Sequence, residues 1–253
     1  MIRSKSVPVA VAMAIACLIL SGTSQSLNAA TITWGTAQNI TGTSDVSVNG
    51  SLFASANFGP TASGTSVTVN GVTFAGFGVA SNTVTSATAG NISVSSPANI
   101  QSATFGNLVT PYADLPANYK ALLGPSIFQN SNTLTFTLSN LTVGTSYAIQ
   151  FWANDPRSNA AGRTTRVGTV VLDPNTTDVS GGIGQWVLGQ FVADSTTQSF
   201  NSSPAGVSTV AYATAMQVRV VPEPTTWTLA VAAVGAIAVV RRRLGRAKQA
   251  PAA

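Results

Sequence analysis

The chain has 253 residues, one cysteine, no histidine and a formal net charge of +5 at pH 7. The absence of histidine excludes the Ser-His-Asp and Cys-His arrangements of nucleophilic catalysis. The excess positive charge lies at the two ends, because residues 31–221 carry five basic and six acidic side chains, so the net charge does not indicate a nucleic-acid partner.

Residues 1–30 have the pattern of a secretory signal peptide. Arg3 and Lys5 precede an apolar run at 7–20, and small residues continue to Ala29 and Ala30, near which cleavage is predicted. An alternative is lipid modification of Cys17, although residues 14–16 match that signal poorly. If Cys17 leaves with the signal peptide, the mature chain contains no disulfide.

Short β-strands are predicted through residues 31–105. The strongest hairpin signal is the alternating segment 66–69, the turn pair Asn70-Gly71 and the segment 72–77. Further strands are predicted at 31–34, 52–58 and 92–94. Residues 112–124 break the pattern with helical spacing of apolar residues and a stop at Gly124-Pro125, which predicts one short helix.

The second half of the chain has the clearest strand signals. Residues 134–138 alternate apolar and polar side chains, as a half-buried strand does. Further strands are predicted at 147–153, 163–172, 185–193, 197–201 and 211–220, with a polar loop at 154–162. Many short strands separated by Gly- and Asn-containing turns predict an all-β fold, an antiparallel β-sandwich.

A candidate ligand-binding group surrounds the polar loop, namely Trp152, Asp155, Arg157 and Arg163. An aromatic face beside charged donors and acceptors is typical of a sugar site. The alternative is structural: Trp152 packs in the core and Asp155 pairs with a nearby arginine.

Asp173, Asn175 and Asp178 place oxygen ligands close together, as a calcium site requires. The alternative is an ordinary turn. Six aspartates lie within residues 31–221. A carboxylate pair for glycan hydrolysis is therefore conceivable, but no spacing indicates one. We expect no catalytic residues and no cofactor.

The C-terminal region combines Pro222, Glu223 and Pro224, an uncharged apolar run at 225–240 and the arginines Arg241, Arg242 and Arg243. The run is slightly shorter than the roughly 20 residues of a full membrane span. The arginines predict a cytoplasmic end for a transmembrane helix. A buried core helix is the alternative, which the arginines and prolines disfavour.

These three parts, in this order, resemble the PEP-CTERM sorting signal of Gram-negative bacteria. The resemblance implies an exosortase, a membrane protease that cleaves near Pro222, Glu223 and Pro224, and an association with exopolysaccharide. Segments 134–147, 149–157 and 189–194 resemble, more loosely, jelly-roll or galactose-binding-like sandwiches.

The sequence therefore predicts a signal peptide at 1–30, a β-sandwich domain at 31–221, a sorting and transmembrane segment at 222–246 and a cytoplasmic tail at 247–253. We expect an exported precursor anchored in the inner membrane, then a non-enzymatic protein at the cell surface or outside the cell. The alternatives are a carbohydrate-binding module with a defined glycan site and an Asp-dependent glycan hydrolase.

Overall fold

A computed structural model describes residues 30–61, 64–206 and 210–222 of the chain. These residues are mostly β-structure, with one α-helix, α1 (Ala117–Leu123), and short 3₁₀ helices at Thr43–Asp45, Tyr112–Asp114 and Ser158–Ala160. The strands of the first half are β1 (Thr33–Trp34), β2 (Gln38–Asn39), β3 (Ser51–Pro60), β4 (Val67–Val69), β5 (Val72–Phe74), β6 (Gly76–Val79), β7 (Ser86–Ala89), β8 (Ile92–Ser95) and β9 (Gln101–Thr104). Those of the second half are β10 (Pro125–Asn130), β11 (Leu134–Leu138), β12 (Ser146–Ala153), β13 (Thr165–Val167), β14 (Val170–Leu172), β15 (Gln185–Val192), β16 (Gln198–Pro204), β17 (Val210–Ala213) and β18 (Ala215–Val220).

Two large sheets pack face to face. We call the first the central sheet; its strand order is β1-β15-β12-β18-β3-β6, with β2 also paired to β15. The second, the outer sheet, has the order β14-β13-β16-β11-β8-β7. Their facing side chains share one apolar core that includes Phe58, Phe136, Ile149, Phe151 and Val218. Pairing is antiparallel throughout the two sheets except between β3 and β6, which run parallel. The predicted antiparallel sandwich is confirmed at this level.

The central sheet is covered on its other face as well. Helix α1 and the β4–β5 hairpin pack there around Trp152, and the second apolar cluster includes Phe74, Tyr119 and Leu122. This explains why β12 is buried along nearly its whole length, whereas β11 alternates buried and half-buried residues. The remaining three-stranded sheet has the order β17-β10-β9.

Several predicted elements are confirmed and some need correction. The β4–β5 hairpin turns at Asn70 and Gly71, whose φ angles are 49° and 74°, as a type I′ turn requires. The predicted strand 72–77 is wrong in extent, because β5 ends at Phe74 and β6 joins a different sheet. The predicted strand 163–172 is instead the β13–β14 hairpin, which turns near Gly168, where φ is 57°.

The predicted helix and its stop at Gly124-Pro125 are confirmed by α1. Strands β2, β7, β9 and β10 were not predicted, and β10 begins directly at Pro125. Glu223, Pro224 and the arginines Arg241, Arg242 and Arg243 lie outside the described residues, as does the predicted signal peptide up to Ala29. Among the helices of the described ranges, none has the length and hydropathy to cross a membrane.

Candidate functional site

The polar loop after β12 brings three of the four predicted ligand-binding residues together around one carboxylate. Asp155 is fully buried and accepts hydrogen bonds from Arg157 Nε and Nη2, both at 2.7 Å. Arg163 Nη1 lies 3.8 Å from Asp155 Oδ2. The hydroxyl of Tyr212 donates to the same oxygen at 3.1 Å and accepts from Arg163 Nη1 at 2.6 Å. Asp155 is therefore the centre of an internal ionic cluster.

Electrostatics and aromatic packing hold this cluster together. The Arg157 guanidinium carbon lies 3.7 Å from the centroid of the Phe105 ring, and Phe105 packs edge-on against Tyr212. The hydrogen bond to Asp155 raises the pKa of Arg157, and burial raises the pKa of Tyr212 to about 12. Both groups thus keep their protons at neutral pH. About one third of each arginine side chain is exposed, 36% for Arg157 and 31% for Arg163.

Trp152 does not belong to this cluster. It is fully buried on the covered face of the central sheet, where its ring packs against Phe74 and its Nε1 donates to Tyr119 Oη at 3.3 Å. The interpretation of Trp152 as an exposed platform for a sugar is wrong, because the ring has no face open to a ligand. The structural alternative, core packing for Trp152 and an arginine pair for Asp155, is confirmed.

The predicted calcium ligands lie in a turn that uses their oxygen atoms. Asp173 Oδ1 accepts from the Asn175 backbone N–H at 2.8 Å, and Asp178 Oδ1 accepts from that of Gly162 at 2.7 Å. The Asn175 amide nitrogen donates to two backbone carbonyls. Burial raises the pKa of Asp173, and the charge of Asp178 adds to the effect. In the described part of the chain, no three Asp, Glu, Cys or His residues group as a metal site would need.

An open groove of about 780 Å³ lies beside α1. Its lining includes Thr65, Leu108, Tyr112 and Lys120, and no carboxylate among the described residues. Lys120 Nζ donates to the Ala113 carbonyl at 2.7 Å, and burial raises the pKa of Tyr112 to about 12. These groups are arranged for packing and hydrogen bonding, and they do not supply the acid and base that glycan hydrolysis uses.

The most regular surface is the solvent-facing side of the outer sheet, which sequence reasoning did not identify. Each outward position of β7, β8, β11 and the adjoining part of β16 is a small polar residue. We call this set the hydroxyl face: Ser86, Thr88, Ser93, Ser95, Thr135, Thr137, Ser199 and Asn201.

Strand register aligns the hydroxyl face into two rows across four strands. One row runs Thr88, Ser93, Thr137, Ser199; the other runs Ser86, Ser95, Thr135, Asn201. Neighbouring strands in a sheet are about 4.8 Å apart, and alternate residues along a strand about 6.7 Å. The Thr137 and Ser199 hydroxyls are 2.8 Å apart. The result is a lattice of donors and acceptors with a regular two-dimensional spacing.

Charge is nearly absent from this side of the sheet. Among the described residues at outward positions on the strands of the outer sheet, Arg166 of β13 is the one charged side chain. It pairs with Ser203 of β16, at the margin of the hydroxyl face. A hydroxyl both donates and accepts, so the surface can satisfy either kind of group on a partner. Alternation in 134–138 could have suggested a polar side, but the rows depend on pairings between residues far apart in the chain.

The last described residues lie beside the start of the domain. Val221 donates its N–H to the Ser146 carbonyl at 3.0 Å, and Pro222 lines a cleft together with Thr31 and Tyr147. Thr31, near the start of the described domain, and Pro222, at its end, therefore line the same cleft. Comparison of the chain with protein-family models, curated proteins and solved structures finds no match.

Proposed function

We propose that this chain is an exported, non-enzymatic protein of the cell surface or extracellular matrix that associates with neutral exopolysaccharide through the hydroxyl face. The observation that carries the proposal is the pair of aligned rows on the outer sheet. In this proposal the sandwich is of the jelly-roll type, and the C-terminal region is a transmembrane helix that anchors the precursor before exosortase cleavage.

The chemistry of the hydroxyl face matches that of a polyhydroxyl chain. A single hydrogen bond exchanged with water contributes only about 1 kcal/mol net. A polymer that lies across several strands makes many such contacts at once. After the first contact has formed, the remaining groups of the polymer are held at a high effective concentration, so the overall affinity exceeds that of a single contact. Since the eight residues are uncharged, an anionic polymer gains no ionic attraction there, which favours a neutral glycan.

Binding to neutral polysaccharide secreted by the producing cells tests this proposal. The double variant Thr135→Val, Thr137→Val keeps side-chain shape and strand preference but removes two adjacent hydroxyls. We expect several-fold weaker co-sedimentation with the polymer and no loss of folding. Full retention of binding would contradict the proposal.

The β4–β5 hairpin supplies a matched control. Its exposed Thr68 and Thr73 hydroxyls are 2.9 Å apart, closely resembling the Thr137–Ser199 pair, but they lie on a different sheet. The variant Thr68→Val, Thr73→Val should bind as wild type does. Equal weakening by both double variants would indicate a general surface effect.

A second candidate is a defined glycan site at the ionic cluster, favoured by the one-third exposure of Arg157 and Arg163. Planar guanidinium groups can donate to sugar hydroxyls while Asp155 holds them in place. Arg163→Lys keeps the charge and changes the geometry of the donors. This second site predicts weaker binding by Arg163→Lys, whereas binding through the hydroxyl face predicts no change.

The sorting proposal has its own test. Replacement of Pro222, Glu223 and Pro224 by alanine should leave the precursor in the membrane fraction with its C-terminal region intact, because the protease loses its recognition motif. Release at the wild-type level would contradict exosortase processing.

A further inference from the structure

The first described residues are fixed against the end of β15. Strand β1 pairs with β15 at Thr33–Gln190 and Trp34–Gly189. Ala30, Ile32 and Trp34 are partly buried against the main core. The fit is close, because a Cβ added at Gly189 would lie 2.7 Å from Trp34 and 2.8 Å from Ile32. The segment from Ala30 to Trp34 is therefore packed closely against the end of β15 and the main core.

The backbone nitrogen of Ala30 faces a carboxylate. It donates to Asp194 Oδ1 at 3.1 Å in a partly buried contact. Among the described residues, the two ion pairs both involve Asp155. No described Lys or Arg side chain therefore lies within ion-pair distance of Asp194. A peptide nitrogen offers this carboxylate one hydrogen and no charge. An α-ammonium group at the same place would offer three hydrogens and a positive charge.

We propose that Ala30 is the first residue of the mature protein and that its α-ammonium group pairs with Asp194. The proposal rests on the export proposed above. Cleavage is the hydrolysis of the Ala29–Ala30 peptide bond: water adds across the bond, Ala29 keeps the carboxylate, and Ala30 gains the ammonium. The hydrolase is a signal peptidase, which prefers a small residue such as Ala29 before the bond.

The position of Asp194 distinguishes between the two cleavage sites that the sequence leaves open. Cleavage after Ala29 places Leu27 three residues before the bond, and cleavage after Ala30 places Asn28 there; neither is the usual small residue. Cleavage after Ala30 would remove the nitrogen that faces Asp194. Cleavage before Ala29 would leave a neutral peptide nitrogen at the contact. A new terminus at Ala30 alone turns the observed hydrogen bond into an ion pair.

Mass spectrometry of the N-terminal peptide of the exported protein gives the first test. A terminus at Ala30 is expected. A terminus at Thr31, or at a lipid-modified Cys17, would overturn this inference and leave export intact. A chain that retains Met1 and remains inside the cell would overturn both the inference and the proposed export.

Thermal unfolding gives the second test, which separates an ion pair from a simple hydrogen bond. Asp194→Asn should lower the melting temperature of the exported protein by about 1–3 °C, the range for a half-exposed pair in a domain of this size. The loss should shrink in 1 M salt. The loss of melting temperature caused by Asp194→Asn should also be smaller in an uncleaved chain made with Ala29→Trp, because the Ala30 nitrogen then stays neutral.

The exposed residue Asp114 provides the control. Asp114→Asn should leave the melting temperature unchanged in both the cleaved and the uncleaved chain. An equal effect of Asp194→Asn in the cleaved and uncleaved chains would overturn the ion pair.

Discussion

The two large sheets present opposite kinds of outer face. The outer face of the central sheet is covered by α1 and the β4–β5 hairpin, and Trp152 and Ala215 lie under that cover at zero exposure. The outer face of the other sheet is bare and carries small hydroxyl side chains in rows. Both faces belong to mainly antiparallel strands in one sandwich, so the difference comes from their side chains.

The covered face also contains polar groups, but they bond to the chain itself. Gln150 and Gln217 bond to each other and to the backbone of Asp45 and Ser47. Arg219 donates to three backbone carbonyls, those of Val48, Asn49 and Gly50. The side chains of Gln150, Gln217 and Arg219 thus bond within the chain, whereas those of the hydroxyl face keep hydrogen-bonding capacity open to solvent or a partner. This comparison teaches where binding can occur: on the face whose hydroxyls stay at least partly exposed, even though Thr137 and Ser199 bond to each other.

The largest expected effect is on the covered face. Trp152→Ala removes a fully buried indole and its contact with Tyr119, so it should lower the free energy of unfolding by about 3–5 kcal/mol. On the bare face, Asn201→Ala should change it by less than about 0.5 kcal/mol. Urea titration measures both. Similar losses would remove the distinction between the faces.

Substitutions of two arginines form a matched pair, and the larger of their effects on stability is expected to be intermediate. Arg219→Met keeps the apolar stem but leaves the carbonyls of Val48, Asn49 and Gly50 without this donor, at a cost of about 1–3 kcal/mol. Burial lowers the pKa of Arg219, so part of this cost is offset by removing a desolvated charge. Arg166→Met on the exposed side of β13 should be close to neutral. A neutral Arg219→Met would show that the covered face does not depend on this hydrogen-bonding group.

Alkaline pH should destabilise the fold through its buried tyrosines, two of which, Tyr112 and Tyr119, lie on the covered face. Burial raises the pKa of Tyr112 to about 12 and that of Tyr119 further. Since the folded state holds these protons more tightly than the unfolded chain, the associated stability is present below pH 10 and is lost as the pH rises above it. Each tyrosine should contribute a decline of about 1 kcal/mol per pH unit between 10 and 12.

Chemical unfolding at several alkaline pH values tests whether the free energy of unfolding falls as the pH rises. Tyr112→Phe should make the decline less steep by the share of one tyrosine, because the raised pKa values of Tyr119 and Tyr212 still contribute, whereas Thr137→Val on the hydroxyl face should leave the slope unchanged. A decline of the same slope in Tyr112→Phe would show that other groups cause it.

The smallest expected effect on stability belongs to the hydroxyl face. Thr135→Val, Thr137→Val should shift the free energy of unfolding by less than about 0.5 kcal/mol, because both positions are partly exposed on a strand that favours β-branched residues. Urea titration checks this value. A large loss would mean that the rows serve folding, and any change in polymer binding would then be secondary.

Local pattern predicted much of the fold. Alternation in residues 134–138 and the Asn70-Gly71 turn depend on neighbouring residues only, and both were confirmed. The break at Ala75 and the hairpin near Gly168 were missed, because they are set by which sheet each segment joins. Sequence alone cannot supply that choice, since it depends on pairing between distant segments.

The candidate sites also differ in how far the sequence could predict them, depending on whether their residues are close together in the chain. Asp155, Arg157 and Arg163 are close in sequence, so their association could be predicted, and their internal role followed from the burial of Asp155. The aromatic character of Trp152 suggested a ligand, but strand alternation and the α1 cover place it in a core. Thr88, Thr137 and Ser199 come from three segments far apart, so their shared row appears only when strand register is known.

The central claim is that a neutral polysaccharide contacts the hydroxyl face and not the covered side. The chain's one cysteine is Cys17, so a Cys17→Ser background allows a single fluorescent label at Thr137→Cys or at Thr73→Cys on the β4–β5 hairpin. Titration with the polymer should give a saturable emission change for the label at position 137 and none for the label at position 73. Polymer binding with no response at position 137, or with equal responses at both positions, would contradict the claim.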